Sequence, residues 1–137
     1  MIVEILNHVD NSLDENIENI LLGCKNFLVQ REIVVPSKEI QFSVAVVDPK
    51  EMQRLNKDYL KNDEPTDVLS FQYENDEVHL NGEIIICPDV IKKYADEDGA
   101  EYEDELKKNL VHGFLHNLGY EHGKEMFDLQ EEVLKNI

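Results

Sequence analysis

A chain of 137 residues and 15.9 kDa is one domain's worth of sequence, long enough to bury an apolar core without disulfides or a partner. Its 42% hydrophobic and 31% charged residues are those of a folded globular protein rather than a disordered or fibrous one. Thirteen Lys+Arg against thirty Asp+Glu give a net charge of −17, which excludes bulk electrostatic attraction to polyanions: a polyanionic substrate would need a local basic patch or a metal ion. No run approaches the roughly 20 apolar residues that span a bilayer, so no membrane segment is expected. The N-terminal MIVEILNHVD carries neither a basic n-region nor a small-residue cleavage site, so no secretory signal is expected either. Cys24 and Cys87, 63 residues apart, suit neither a disulfide framework nor a thiolate metal site and read as reduced, buried and inert. These features point to the cytoplasm.

In chain order, residues 2–7 read as a short strand. Ser12 and Glu15 have the spacing of a capping box ahead of Ile17, Ile20, Leu21, Cys24 and Leu28, which predicts a helix over 13–30. IQFSVAVV at 40–47 is a largely buried strand, and Asp48 as N-cap with Pro49 in the first turn opens a helix to about 62. Residues 67–73 and 83–87 are two more strands, with the polar stretch 74–82 as their connection. Pro88 starts a short helix that ends before Gly99; helices over 101–118 and 124–136 follow. Four strands and five helices in one 137-residue domain imply a small sheet covered by helices, either α+β or α/β.

The informative segment is HGFLHNLGYEH, residues 112–122. His112 and His116, four apart on a helix, project from one face about a turn apart, where two imidazoles can share a cation. Gly119 permits the positive φ that ends a helix sharply, so His122 can fold back as a third ligand. Three neutral imidazoles and an open position are the ligand set of a catalytic zinc site. The spacing is that of the peptidase motif HExxHxxGxxH, with Gly113 where those enzymes carry their glutamate base. Leu106, Leu110, Val111, Phe114, Leu115 and Leu118 around the histidines are core, and His8 and His79 have no constellation and are expected on the surface.

HGFLHNLGYEH resembles the HGxLHLxGYDH signature of the YbeY family of rRNA maturation endoribonucleases. Asn56-Lys-Asp-Tyr59 followed by PTDVLSF at 65–71 resembles that family's NxxYR…PTDVLSF block, Gly82-Glu83-Ile84-Ile85-Ile86 its GDIxI strand, and Glu125-Met126 onward its C-terminal helix. The resemblance runs in order over residues 40–137. It implies an α+β domain with a mixed four-stranded sheet, about five helices and one metal held by His112, His116 and His122 on a helix and the turn after it. It also implies cleavage of single-stranded ribosomal RNA in ribosome biogenesis and quality control, with the small ribosomal subunit or its proteins as partners. The chain departs from the family at Leu60, where an arginine is usual. Leu60 is expected to be exposed and site-facing between Lys57 and Lys61, and a purified protein lacking that guanidinium is expected to cut slowly.

Lys50, Arg54, Lys57 and Lys61 form one basic stripe on the helix from 49, opposite Met52, Leu55 and Tyr59 facing the core. Lys108, one turn before His112, adds a cation on the histidine face. Arg54, Lys57, Lys61 and Lys108 are therefore the candidate phosphate contacts. Asp67 and Glu121 are the candidate general bases, although Asp67 also suits a carboxylate bonded to a ligand histidine. Thr66 and Ser70 are turn and strand residues. Two other readings compete: a zinc hydrolase of another class, peptidase or amidase, against which the absence of a glutamate at 113 weighs, and a non-catalytic ribosome-assembly factor with a structural metal, which the acidic charge would dock on basic proteins.

Overall fold

The structure, a computed structural model, describes residues Met1–Ile137. Its elements are β1 (Ile2–Asn7), α1 (Asp14–Gln30), β2 (Glu39–Val46), α2 (Pro49–Leu60), β3 (Val68–Asn75), β4 (His79–Ile86), α3 (Pro88–Asp98), α4 (Tyr102–Asn117) and α5 (Lys124–Lys135), with a single 3-10 turn, Asn11–Leu13, leading into α1. The strands form one mixed sheet in the order β1-β2-β4-β3, in which β1–β2 and β2–β4 are parallel and β3–β4 antiparallel. This is the expected α+β domain of four strands and five helices. None of its helices is long and apolar enough to cross a membrane.

Alternation along β2 explains the layering. Ile40, Phe42, Val44 and Val46 are buried on one face, while Gln41, Ser43 and Ala45 point to the other. Together with Leu80, Ile84 and Ile86 of β4, the buried set packs under α1, α4 and α5 in the main core, where Phe42 meets Phe114 edge-on at 4.8 Å. A smaller cluster of Met52, Leu69, Ile85, Cys87 and Val90 joins α2 and α3 to the opposite side. Cys24 and Cys87 are both buried and unpaired, and burial pushes both thiols up, as inert thiols require.

Two glycines let α4 lie hard against the sheet. A Cβ on Gly113 would stand 3.0 Å from Ile84 Cγ2, and one on Gly82 would collide with the Asn117 side chain and stand 2.8 Å from the Phe71 carbonyl. The axis of α4 is thereby fixed relative to β3 and β4.

Several local expectations are corrected. The capping box does not form: Asp10 caps the 3-10 turn by accepting from the Ser12 N–H and hydroxyl, and Leu13 precedes α1 with no side-chain cap. The stretch 74–82 is mostly strand, because ladder bonds need no apolar side chains. The hairpin turns only at Asp76–Val78, where Asp76 Oδ1 accepts from the Val78 and His79 amides. Helix α2 is capped by Asp48 as expected, at 2.8 Å from the Glu51 amide, but ends at Leu60 with Lys61 in the left-handed region at φ 60°. Tyr59, expected in the core, is exposed and packs on Phe71 with centroids 5.3 Å apart.

Candidate metal centre

The centre is built at the C-terminus of α4. Gly119, at φ 99°, ends the helix: its amide donates to the His116 carbonyl and that of Tyr120 to the Leu115 carbonyl, the paired bonds of a Schellman turn. The chain reverses and brings His122 over the helical pair. The Nε2 atoms of His112, His116 and His122 then converge, with separations of 3.0, 3.2 and 3.1 Å for 112–116, 116–122 and 112–122.

The outer nitrogens fix the tautomers. His112 Nδ1 stands 2.9 Å from Gln130 Oε1, and His116 Nδ1 stands 2.9 Å from the Tyr120 carbonyl oxygen. Both partners are acceptors, so both Nδ1 atoms donate and both Nε2 atoms present bare lone pairs to each other. Lone pairs at 3.0 Å repel unless a cation lies between them. Burial lowers the His112 pKa below the ordinary histidine value; the Gln130 contact opposes this, and His116 and His122 add to it. Burial likewise lowers that of His116, against the Tyr120 carbonyl and with His122. The pair is neutral at pH 7, as ligation requires, and the three-histidine group could hold a metal ion.

The sheet holds this turn in place. Gln72 Nε2 donates to the Asn117 carbonyl at 2.9 Å and Asn75 Nδ2 to that of Leu118 at 3.2 Å, while Lys38 Nζ donates to Asn75 Oδ1 at 2.7 Å.

The other expected site residues are divided. Lys108 is exposed, 4.0 Å from Glu105, and lines a cavity beside His112 together with Asp67. Asp67 does not bond a histidine: its Oδ1 accepts from the Val68 amide and the Thr66 hydroxyl, and the position beside His112 Nδ1 belongs to Gln130. Glu121 is exposed and lines a groove of about 660 Å³ on the His122 side, with Lys38, Tyr120 and Lys124. On the basic stripe, Arg54 and Lys57 have acidic partners and Lys61 does not. Arg54 bonds Glu51 and Asp58, Lys57 lies 3.9 Å from Asp63, and Lys61 leaves the helix face to reach the Asp58 carbonyl. Leu60 is 59% exposed. His8 is exposed as expected. His79 is exposed too, but it does have a constellation, lying 3.3 Å from Glu39, 3.7 Å from Glu74 and 3.8 Å from Asp76 at the hairpin.

Gln130, Asn109 and Phe127, which line the cavity beside His112, are the residues that sequence patterning misses. Gln130 left a trace: it is a polar residue on the buried stripe of α5, between Met126 and Val133.

The fold and the site together define an α+β domain with a three-histidine group, able to hold a metal, at the end of its central helix. Residues 4–137 match the family model described as endoribonuclease YbeY. The chain is 38% identical to the endoribonuclease YbeY of Staphylococcus carnosus, over 93% of this chain and 88% of that one. It is 37% identical to that of Brevibacillus brevis, over 98% and 96%. A solution structure of a Thermotoga maritima protein superposes with a TM-score of 0.69 at 30% identity, covering 98% of this chain and 88% of that one. The chain belongs to the endoribonuclease YbeY family.

Proposed function

We propose that residues 1–137 form a single metal-dependent hydrolase domain, a zinc-dependent endoribonuclease that cuts single-stranded RNA in rRNA maturation. We extend this reading to ribosome biogenesis and quality control in the cytoplasm, with the small ribosomal subunit or its proteins as partners. Family membership supports the nuclease. The observation that carries metal dependence is the mutual approach of three Nε2 atoms, two of them with Nδ1 committed to acceptors. A triangle with edges of 3.0–3.2 Å has its centre about 1.8 Å from each corner. That is close to the roughly 2.0–2.1 Å of a zinc–imidazole bond, so the three nitrogens fit a zinc ion.

His112, His116 and His122 would hold the ion, which when bound supplies Lewis acidity toward a phosphate and acidifies a water. Lys108, beside His112, meets the phosphate backbone. Asp67 is the better placed of the two candidate bases, since it is half-buried on the cavity that His112 lines and its Oδ2 has no protein partner. Glu121 stands in solvent on the opposite side. Arg54, Lys57 and Lys61 serve at most as outlying contacts, because each already has an acidic or carbonyl partner.

The peptidase reading meets a physical obstacle at position 113. The Cβ direction there runs into Ile84, so a glutamate would enter the sheet interface rather than the metal site. The deciding experiment measures metal content and then cleavage of single-stranded RNA, duplex RNA and peptide by the zinc-loaded protein. Cutting confined to single-stranded RNA and abolished by chelation is expected. Stoichiometric metal with no RNA cleavage, together with binding to assembling small subunits, would instead establish the assembly factor.

A further inference from the structure

Beside the triad, on the α5 side, lies a cavity of about 140 Å³, large enough for one flat heterocycle and too small for a whole nucleotide. His112 forms one edge. Val68 and the ring of Phe127 are its apolar walls, Asp67, Asn109 and Gln130 its polar lining, and Lys108 stands among the lining residues as an exposed cation. Phe127 is 47% exposed although it is a large aromatic, and it lies nearly parallel to the His122 ring at 25° and 6.2 Å.

The two amides are each half used. Asn109 is 5% exposed, and its Nδ2 donates to the Glu105 carbonyl at 2.8 Å, which leaves Oδ1 without a protein partner. Gln130 is 4% exposed, and its Oε1 accepts from His112 Nδ1 at 2.9 Å, which leaves Nε2 without one. An amide offers a donor and an acceptor, and buried polar atoms are normally satisfied. Neither free atom is wholly cut off from solvent, so a ligand with a complementary edge would replace water at one acceptor and one donor on one small cavity. An aromatic wall adds the preference for a π face, and a lysine adds one for a neighbouring anion.

We propose that this cavity takes one unstacked base of the RNA strand, which makes it a base-reading subsite next to the metal centre. The base lies against Phe127, its edge meets Asn109 Oδ1 and Gln130 Nε2, and the adjoining phosphate meets Lys108. This rests on the endoribonuclease reading above and adds to it a fixed register between one base and the cut. It also gives Gln130 two contacts through one amide, so that the group reading the base is the group orienting His112.

The test walks a single abasic ribonucleotide along a single-stranded RNA of fixed sequence. Binding is read by fluorescence anisotropy and cut positions by gel, with zinc content and melting temperature checked for every variant. One register is expected at which affinity falls on the order of tenfold, the size of a single base–aromatic stack, and cutting at the neighbouring bond is lost. Phe127→Ala should weaken binding of the intact RNA by a similar factor and abolish the penalty of the abasic site. Phe127→Tyr should restore both, and Asn109→Leu should change which of the four bases is preferred at that position. RNA that is bound and cut with a flat abasic profile, or an unchanged register penalty in Phe127→Ala, would overturn the subsite. Failure to cut intact RNA at all would count against the endoribonuclease reading, and the anisotropy series would still decide whether a base is read.

Discussion

The side-chain oxygen of Gln130 lies 2.9 Å from Nδ1 of His112, and so α5 determines which nitrogen of an α4 histidine is free. Partners of this kind hold the ring and its tautomer, and their loss typically weakens metal binding by 10–100-fold. Gln130→Leu should lower zinc affinity by about that factor in a competition titration against a chromophoric chelator, while Gln130→Glu keeps an acceptor and most of the affinity. Equal affinity in Gln130→Leu and the parent would show that the amide does not orient the ring.

Removal of any one triad imidazole should reduce bound metal well below one per chain, because the two that remain no longer enclose the ion. His112→Ala, His116→Ala and His122→Ala are each expected to do so, whereas His8→Ala and His79→Ala should not. Elemental analysis of the dialysed proteins is the measurement. Loss of metal from His79→Ala would transfer the site to the carboxylate-ringed histidine of the hairpin.

Acid should weaken the metal-free fold through the same residues. His112 and His116 have pKa values lowered from 6.5 in the folded protein, so the unfolded chain binds more protons as the pH falls through that value. Their contribution to stability is full above 6.5 and is lost as the pH drops toward the lower folded-state values. Denaturant midpoints of the metal-free protein should fall more steeply below pH 6.5 than those of a His112→Gln/His116→Gln variant. Parallel curves would remove these two histidines from the acid response.

Gly82→Ala should be costly for so small a change. The added methyl meets the buried side chain of Asn117 and the backbone oxygen of Phe71, neither of which has room to retreat. Overpacking of this kind costs about 1–3 kcal/mol, to be read as a loss of melting temperature. Zinc affinity should fall with it, since Asn117 follows His116 directly. An unchanged melting temperature would mean that α4 can lift from the sheet.

Leu60→Arg should accelerate cleavage of single-stranded RNA about tenfold or more, if the guanidinium reaches the phosphate. The position is free to change: Leu60 is 59% exposed, so a longer polar side chain costs little packing. No gain in a folded, fully metallated variant would show that this end of α2 does not meet the substrate.

Much of this was legible in the chain. Helical spacing exposed the inner faces of α1 and α4, and the His112, His116, Gly119 and His122 spacing exposed the triad, because ligand geometry at the end of one helix is a local property. The misses are tertiary. A periodic pattern marks Gln130 as a polar residue on an apolar stripe but does not say that His112 stands opposite. Spacing gathers Arg54, Lys57 and Lys61 on one stripe but does not reveal that Glu51, Asp58 and Asp63 stand beside Arg54 and Lys57. The capping box failed because Asp10, two residues before Ser12, competes for the hydroxyl and the amide of Ser12.

The bonds from Gln72 and Asn75 to the last carbonyls of α4 have a thermodynamic consequence. The sheet fixes the chain at Asn117 and Leu118, directly after His116, so part of the cost of assembling the ligands is met during folding. Zinc fingers work the other way round: in them the metal is part of the folding reaction. Here the apolar core lies elsewhere, between the sheet and α1, α4 and α5. Chelation should therefore leave a folded protein whose melting temperature drops only by the mass-action term for ligand loss and returns when zinc is restored. A domain emptied in this way should accept different divalent ions, so that their chemistries can be compared on one scaffold.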